Sequence, residues 1–318
     1  MTQPRASLIE RAAEIYDFGA ALRARDSVPV EEQHHAIAAP FVDSDEPATS
    51  PVRPEAVEAG EPLVLAEPIE ARPTHRRHAV IDRERLAESG FIVPGVAVTA
   101  LAEEFRLIKR QLLTDLRERS LKRSILICSA RPNEGKTFCA INLALSLAAE
   151  RDLHVLLVDA DVAKPDVARR LGLVEDRPGL LDALADPSQD VEGMVIDTDV
   201  DRLSVLPAGT RSHADTEMLA SAHAATVLER LAAADPKRLI LFDSPPALAA
   251  SPASVLASHV GQVAMVVRAD RTPESELREA VQLMDACAHL HLLLNAVAYA
   301  PGGKRFGSYY DYHEEIEA

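Results

Sequence analysis

Short, continuous apolar runs recur along the chain from residue 125 onward, at 125–129, 154–159, 203–206, 238–243, 262–268 and 290–294. Runs of this length, bounded by polar turns, read as strands buried on both faces. Between them lie patterns with helical spacing, notably 137–149, 215–234 and 274–286. Strand and helix in alternation predict an α/β fold: a mostly parallel sheet with helices on both faces. Right-handed crossovers then gather the loops at the strand C-terminal ends along one edge, where such sheets bind ligands. The sequence contains no internal repeat.

Upstream the pattern changes. Leu101, Phe105, Ile108, Leu112 and Leu116 fall at spacings of three and four, an amphipathic helix whose other face carries Glu103, Glu104, Arg106, Lys109 and Arg110. Asp82 to Ser89 reads as a short helix stopped by Gly90. The folded domain is therefore expected over 80–305. Ser7-Leu-Ile-Glu10 is a capping box, and Leu8, Ala12, Ile15, Phe18 and Leu22 follow on one face, so residues 1–25 read as a short helix. A helix of that length is marginal alone and must dock, on its own domain or on a partner. Residues 26–79 are acidic and rich in irregularly spaced prolines, too poor in apolar surface to offset the entropy of ordering; they read as a disordered linker. Arg72, His75, Arg76, Arg77 and His78 form a small basic island at its end, read as a solvated boundary.

Composition narrows the partners. The formal charge of −16 over 318 residues argues against a nucleic-acid surface or an anionic membrane. No apolar run approaches the roughly 20 residues of a membrane helix, and no signal-type segment follows Met1. The expectation is a cytoplasmic chain that reaches any membrane through a partner. Cys128, Cys139 and Cys287 are scattered and odd in number, which suits a reducing compartment.

The chemistry starts at the first long strand. Ala130-Arg-Pro-Asn-Glu-Gly-Lys-Thr137, between strand 125–129 and helix 137–149, meets the phosphate-loop template G-x-x-x-x-G-K-[ST] with Ala in place of the first Gly. Loop N–H groups and a helix N-terminus cradle phosphate oxygens, Lys136 reaches the outer phosphates, and the Thr137 hydroxyl is placed for Mg²⁺. Two more strands end in carboxylates: Val155-Leu-Leu-Val-Asp-Ala-Asp161 and Leu239-Ile-Leu-Phe-Asp243. In a parallel sheet these gather beside the loop. Mg²⁺ is held by one or two carboxylates plus substrate phosphates, so Thr137, Asp243 and either Asp159 or Asp161 could hold it. The remaining carboxylate could accept a proton from an attacking hydroxyl.

A-R-P-N-E-G-K-T at 130–137, V-D-A-D at 158–161 and F-D-S-P-P at 242–246 together resemble the bacterial tyrosine kinases, P-loop autokinases of exopolysaccharide export. The resemblance spans roughly 80–318. It implies a P-loop NTPase fold of the deviant Walker type shared with partition and septum-positioning ATPases, with ATP and Mg²⁺ as cofactors. Phosphates and nucleotide would be held by Ala130, Arg131, Pro132, Asn133, Glu134, Gly135, Lys136, Thr137 and Phe138, and the base would lie near Asn295 in Leu293-Leu-Asn295. Lys136, Asp159, Asp161 and Asp243 would be catalytic; Thr137, Asp161 and Asp243 would serve the metal. Glu103, Arg106 and Lys109 resemble the family's E-x-x-R-x-x-R helix and imply a ring-like homo-oligomer, with Lys109 where the family has Arg. Leu206-Pro-Ala-Gly209 and Glu217-Met-Leu219 resemble a further family segment, and Ala163 stands where many members have Arg. The opening S-L-I-E-R-A-A-E and the linker resemble the subgroup encoded with exosortase-linked loci, in which the kinase is a separate chain. A membrane-embedded chain-length protein would then be the activating partner.

Three of the five tyrosines, Tyr309, Tyr310 and Tyr312, lie in the final stretch 306–318, after Gly302, Gly303 and Gly307. Such a tail can carry hydroxyls into an active site, and the resemblance implies autophosphorylation there by a neighbouring subunit. Two other readings compete. A partition or septum-positioning ATPase would carry a signature Lys where this chain has Arg131-Pro132. A non-catalytic, ATP-gated scaffold of an export complex would need the same binding residues as the kinase.

Overall fold

The computed structural model describes residues 76–119, 121–174, 177–212 and 215–297. The expected N-terminal helix, nearly all of the linker and the tyrosine tail lie outside the described residues. Eight strands form one sheet: β1 (Arg77–Ala79), β2 (Ser124–Ser129), β3 (His154–Asp159), β4 (Ile196–Thr198), β5 (Leu203–Leu206), β6 (Arg238–Asp243), β7 (Gln262–Arg268) and β8 (Leu290–Asn295), in the order β1-β4-β5-β3-β6-β2-β7-β8. Every pairing is parallel except β4 with β5. All six expected strands are present. β1 and β4 were not expected, because three residues carry too little pattern; β1 becomes a strand by pairing with β4, and β4 by pairing with both β1 and β5. The sheet begins at Arg77, three residues before the expected start of the domain, and Arg77 and His78 of the basic island lie exposed on this edge strand.

The helices are α1 (Arg83–Glu88), α2 (Ala100–Glu118), α3 (Lys136–Ala148), α4 (Val167–Leu171), α5 (Leu180–Ala185), α6 (Val191–Met194), α7 (Asp215–Leu219), α8 (Ala222–Ala233), α9 (Pro252–Ala257) and α10 (Glu274–Leu283). Asp82 and Thr99 cap α1 and α2 by accepting from the N3 amides of Arg85 and Ala102. The helical pattern at 215–234 splits in two. Ser221 donates to the Met218 carbonyl at 2.7 Å and accepts from Ala224 N at 3.1 Å, ending α7 and starting α8.

Two cores sandwich the sheet. Along β2, Ile125 and Ile127 face one with Phe105, Leu112, Leu116, Ile141 and Leu147; Leu126 and Cys128 face the other with Leu181, Leu231, Leu256 and Met284. Each buried Leu or Ile contributes about 1.5–3 kcal/mol, so β2 is fixed from both faces and the loop that follows it has a rigid base. Cys128 and Cys139 are buried beside that loop, which pushes both thiols up to about 12, so they serve as packing.

One expected interface residue is spoken for within the fold. Lys109 is buried; its ammonium donates to the Ser146 carbonyl at 2.8 Å and pairs with Glu150 at 2.8 Å. It joins α2 to the C-terminal end of α3, where the helix dipole favours a cation. Arg106 and Glu103 pair with each other on the surface of α2.

Candidate phosphate and metal site

The strand ends fix the site. Ile127 of β2 is the register partner of Asp243 on β6, and Asp159 of β3 is the register partner of the same Asp243. Three adjacent strands therefore deliver the phosphate loop and two aspartates to one level of the sheet edge, with Asp161 two residues beyond.

The loop itself turns through two left-handed residues, Asn133 at φ 63° and Gly135 at φ 98°. The positive φ calls for glycine here, and a Cβ on Gly135 would also displace the Asn295 amide, whose Nδ2 would lie 2.1 Å from it. α3 then begins at Lys136 with no side-chain cap and no acidic residue in its first turn. Its leading N–H groups are left for an anion. Lys136 is buried, with no ion pair among the described residues.

Of the residues expected to bind nucleotide, Pro132, Asn133, Gly135, Lys136, Thr137 and Phe138 line a cavity of about 330 Å³ together with Asp161. The others brace the loop from behind. Ala130 is fully buried. Glu134 is buried and accepts from its own loop at Arg131 N (2.9 Å) and from the Thr272 hydroxyl. Asn295 donates to the Glu134 carbonyl at 2.9 Å, and Arg268 to the Asn133 carbonyl at 3.0 Å. Arg131 points outward to Glu276 of α10 at 3.1 Å. Phe138 also packs against Phe91, ring centroids 5.0 Å apart. Sequence reasoning missed Arg268 and Thr272, which lie far along the chain and carry no local signal for a role at the loop. It also missed Asp166 and Arg170, which line the cavity; an Arg-Arg pair after an Asp at a helix start was the only hint.

The carboxylates are unlike one another. Asp159 Oδ2 accepts from Asp166 N and Val167 N, both at 3.0 Å, and so caps α4; Oδ1 has no donor. Neither oxygen of Asp243 has a hydrogen-bond partner of normal geometry, although the Thr137 hydroxyl is close enough to lower its pKa. Burial, then the Asp243 charge, pushes Asp159 well above the usual carboxylate range. Burial pushes Asp243 up to about 7, against the pull of Thr137 and Lys136. Asp161 is raised by burial and held down in part by Lys136 and by Lys164, whose N–H donates to Oδ1 at 3.1 Å.

Three buried carboxylate oxygens without donors, beside a hydroxyl and a phosphate loop, suit a hard divalent cation. Among the described residues no three His, Cys, Asp or Glu side chains close a cage by themselves. That is the donor set expected of Mg²⁺ carried in with phosphates, for which the protein supplies only part of the shell. The arrangement can bind a nucleoside triphosphate, stabilise charge on its outer phosphates and accept a proton beside them.

A family model described as an AAA domain matches residues 122–267. The chain is 30% identical over 212 residues to the tyrosine-protein kinase YwqD of Bacillus subtilis, covering 66% of this chain and 84% of YwqD. It is 35% identical over 162 residues to the succinoglycan biosynthesis transport protein ExoP of Rhizobium meliloti, 48% of this chain and 20% of ExoP. It spans about a quarter of the length of further curated relatives, the EpsB proteins of Ralstonia. Among solved structures, the kinase domain of VpsO is 29% identical with a TM-score of 0.54, over 62% of this chain and 96% of that one. Among the described residues no helix is long and apolar enough to cross a membrane.

Proposed function

The chain belongs to the bacterial tyrosine-kinase family, and from that premise we propose that it is an ATP-dependent protein-tyrosine autokinase that regulates exopolysaccharide polymerisation or export. It transfers the γ-phosphate of Mg·ATP to Tyr309, Tyr310 and Tyr312 of a neighbouring subunit. The observation that carries the reading is the set of carboxylate oxygens without donors on Asp159 and Asp243, beside a phosphate loop whose buried lysine has no ion pair among the described residues. Charges are not left this way in a buried site unless a ligand completes them.

Lys136 and the N–H groups at the start of α3 bind and polarise the phosphates. Thr137, Asp243 and Asp161 would hold Mg²⁺, which when bound neutralises charge building on the transferred group. Asp161 suits that role because it lines the nucleotide cavity. Asp159, outside that lining, is assigned to the tyrosine hydroxyl and its proton. Asn295 holds the loop wall on the side of the base. Glu103 and Arg106 belong to the contact of a ring-like homo-oligomer. A membrane-embedded chain-length protein activates the kinase, which stays cytoplasmic and peripheral to the inner membrane; the naming of ExoP as a transport protein supports this partner.

Incubation of purified protein with Mg·ATP, followed by phosphotyrosine mapping, tests the reading. The expected result is phosphate on Tyr309, Tyr310 or Tyr312 and at least a hundredfold loss of labelling in Lys136→Met, the scale of removing one charge-stabilising group. Tight Mg·ATP binding with no labelling, even beside an activating cytoplasmic segment, overturns the kinase in favour of an ATP-gated scaffold.

A further inference from the structure

Beside the nucleotide cavity lies a second one of about 260 Å³, with Asp159 in its wall and Arg169, Gly209 and Arg211 around it. Asp166 lines both, so the two cavities adjoin. The second has rigid sides. Leu180 N and Leu181 N donate to the Pro207 and Ala208 carbonyls at 2.9 and 2.8 Å, and Asp182 accepts from Gly179 N at 2.8 Å and Thr210 N at 3.0 Å. A Cβ on Gly179 would lie 2.0 Å from the Pro207 carbonyl oxygen, so the two segments touch backbone to backbone. Arg211 follows directly from this pinned stretch. It is exposed and has no hydrogen bond or ion pair among the described residues. Arg169 is paired to Asp166 and still half exposed.

A mouth carrying Arg169 and Arg211 over a carboxylate wall, next to the phosphate loop, has a definite complement. We propose that this cavity is the acceptor site of the kinase, that it takes a tyrosine set in an acidic peptide, and that Arg211 selects the acidic flank. The inference rests on the kinase reading and adds the substrate class to it. The chain's own tail has that chemistry: Asp311, Glu314, Glu315 and Glu317 lie around and after Tyr309, Tyr310 and Tyr312. A molecule of net charge −16 repels such a peptide at long range. Its capture needs local cations not already matched by carboxylates, and Arg211 is one. A cavity of this size has room for a phenol ring, whose hydroxyl would face Asp159 while the flanking carboxylates stay at the rim.

The test is direct binding, so that it does not depend on catalysis. A fluorescent peptide of residues 307–318 is titrated against the full chain loaded with Mg²⁺ and a non-hydrolysable ATP analogue. Arg211→Glu is expected to weaken binding about tenfold, because an attraction becomes a repulsion, with affinity for the analogue unchanged; Arg211→Lys should stay within about twofold of wild type, since a rim charge needs no fork geometry. A peptide with the four acids replaced by Asn and Gln should bind wild type and Arg211→Glu alike. Equal affinity of the acidic peptide for both proteins, or no binding to wild type, overturns the proposal. Binding that responds to Arg211 without any phosphate transfer upholds the peptide site and overturns the kinase reading.

Discussion

The two ends of the central strands handle charge in opposite ways. At the N-terminal end of β6, Arg238 is buried, donates to the Leu231 carbonyl at 2.7 Å and clasps Glu192 with both nitrogens at 2.5 and 3.1 Å. Glu192 also receives Arg76 at 2.5 Å, Asp197 receives Ser204 at 2.7 Å, and His154 meets Asp235 at 2.5 Å. Burial acts to raise Asp235, but the hydrogen bonds from His154 and Lys237 outweigh it and leave it lowered. At the C-terminal end of the same strand, Asp243 is equally buried, has no partner of normal geometry and is raised. One end is complete as it stands; the other is completed by something else. Burial alone does not separate a structural ion pair from a binding site. What separates them is whether the opposite charge is already in the chain.

Removing a partner at the complete end should cost the most. Arg238→Ala leaves the half-buried Glu192 with Arg76 alone, and about 3 kcal/mol of unfolding free energy should be lost in urea titration. A loss under about 1 kcal/mol would mean that the network is less closed than its geometry. The other end should answer with the opposite sign. Asp243→Asn removes a carboxylate held at about 7 and should raise the melting temperature of the ligand-free protein by a few degrees at pH 8, while abolishing Mg²⁺-dependent nucleotide binding. The sign follows from linkage. The folded protein holds this proton and the unfolded chain, with an ordinary carboxylate pKa, gives it up first. The group's contribution to stability therefore falls as pH rises from about 4 to about 7. Calorimetry of wild type and Asp243→Asn should diverge across that window, and parallel curves would remove the contrast. The smallest effect is expected where both charges are at the surface. Arg106→Ala breaks an i,i+3 pair with Glu103 and should change stability by less than about 0.5 kcal/mol. A larger loss confined to the oligomer, read by mass photometry, would support the proposed ring contact.

The strands that build the site were legible because each is long enough to repeat its pattern, and three of them announce themselves with an aspartate or a phosphate loop. β1 and β4 were not legible, since Arg77–Ala79 and Ile196–Thr198 gain strand geometry from tertiary pairing, β1 on β4 and β4 on β5. The break at Ser221 was written locally as a cap but was overridden by an unbroken apolar period on either side. Within the loop, sequence identified which residues gather but not which way they face. Glu134 and Arg131 look like ligand residues by position, yet one is turned inward to Thr272 and the other outward to Glu276. Those orientations are set by the β7–α10 connection and by α10, more than a hundred residues away in the chain. Lys109 shows the same limit: its place on the polar face of α2 concealed that α3 ends beside it.

The unmatched carboxylates have a consequence for the life of the molecule in a cell. A ligand that binds only the folded form stabilises it by about 2.7 kcal/mol at a hundred times its dissociation constant. Asp159 and Asp243 stand side by side with donor-less oxygens, offset in part by Lys136, so a ligand that completed the site would add to the chain's resistance to proteases. Its abundance would then follow supply: with ample ligand a larger share of the folded form would outlast proteolysis with no change in synthesis.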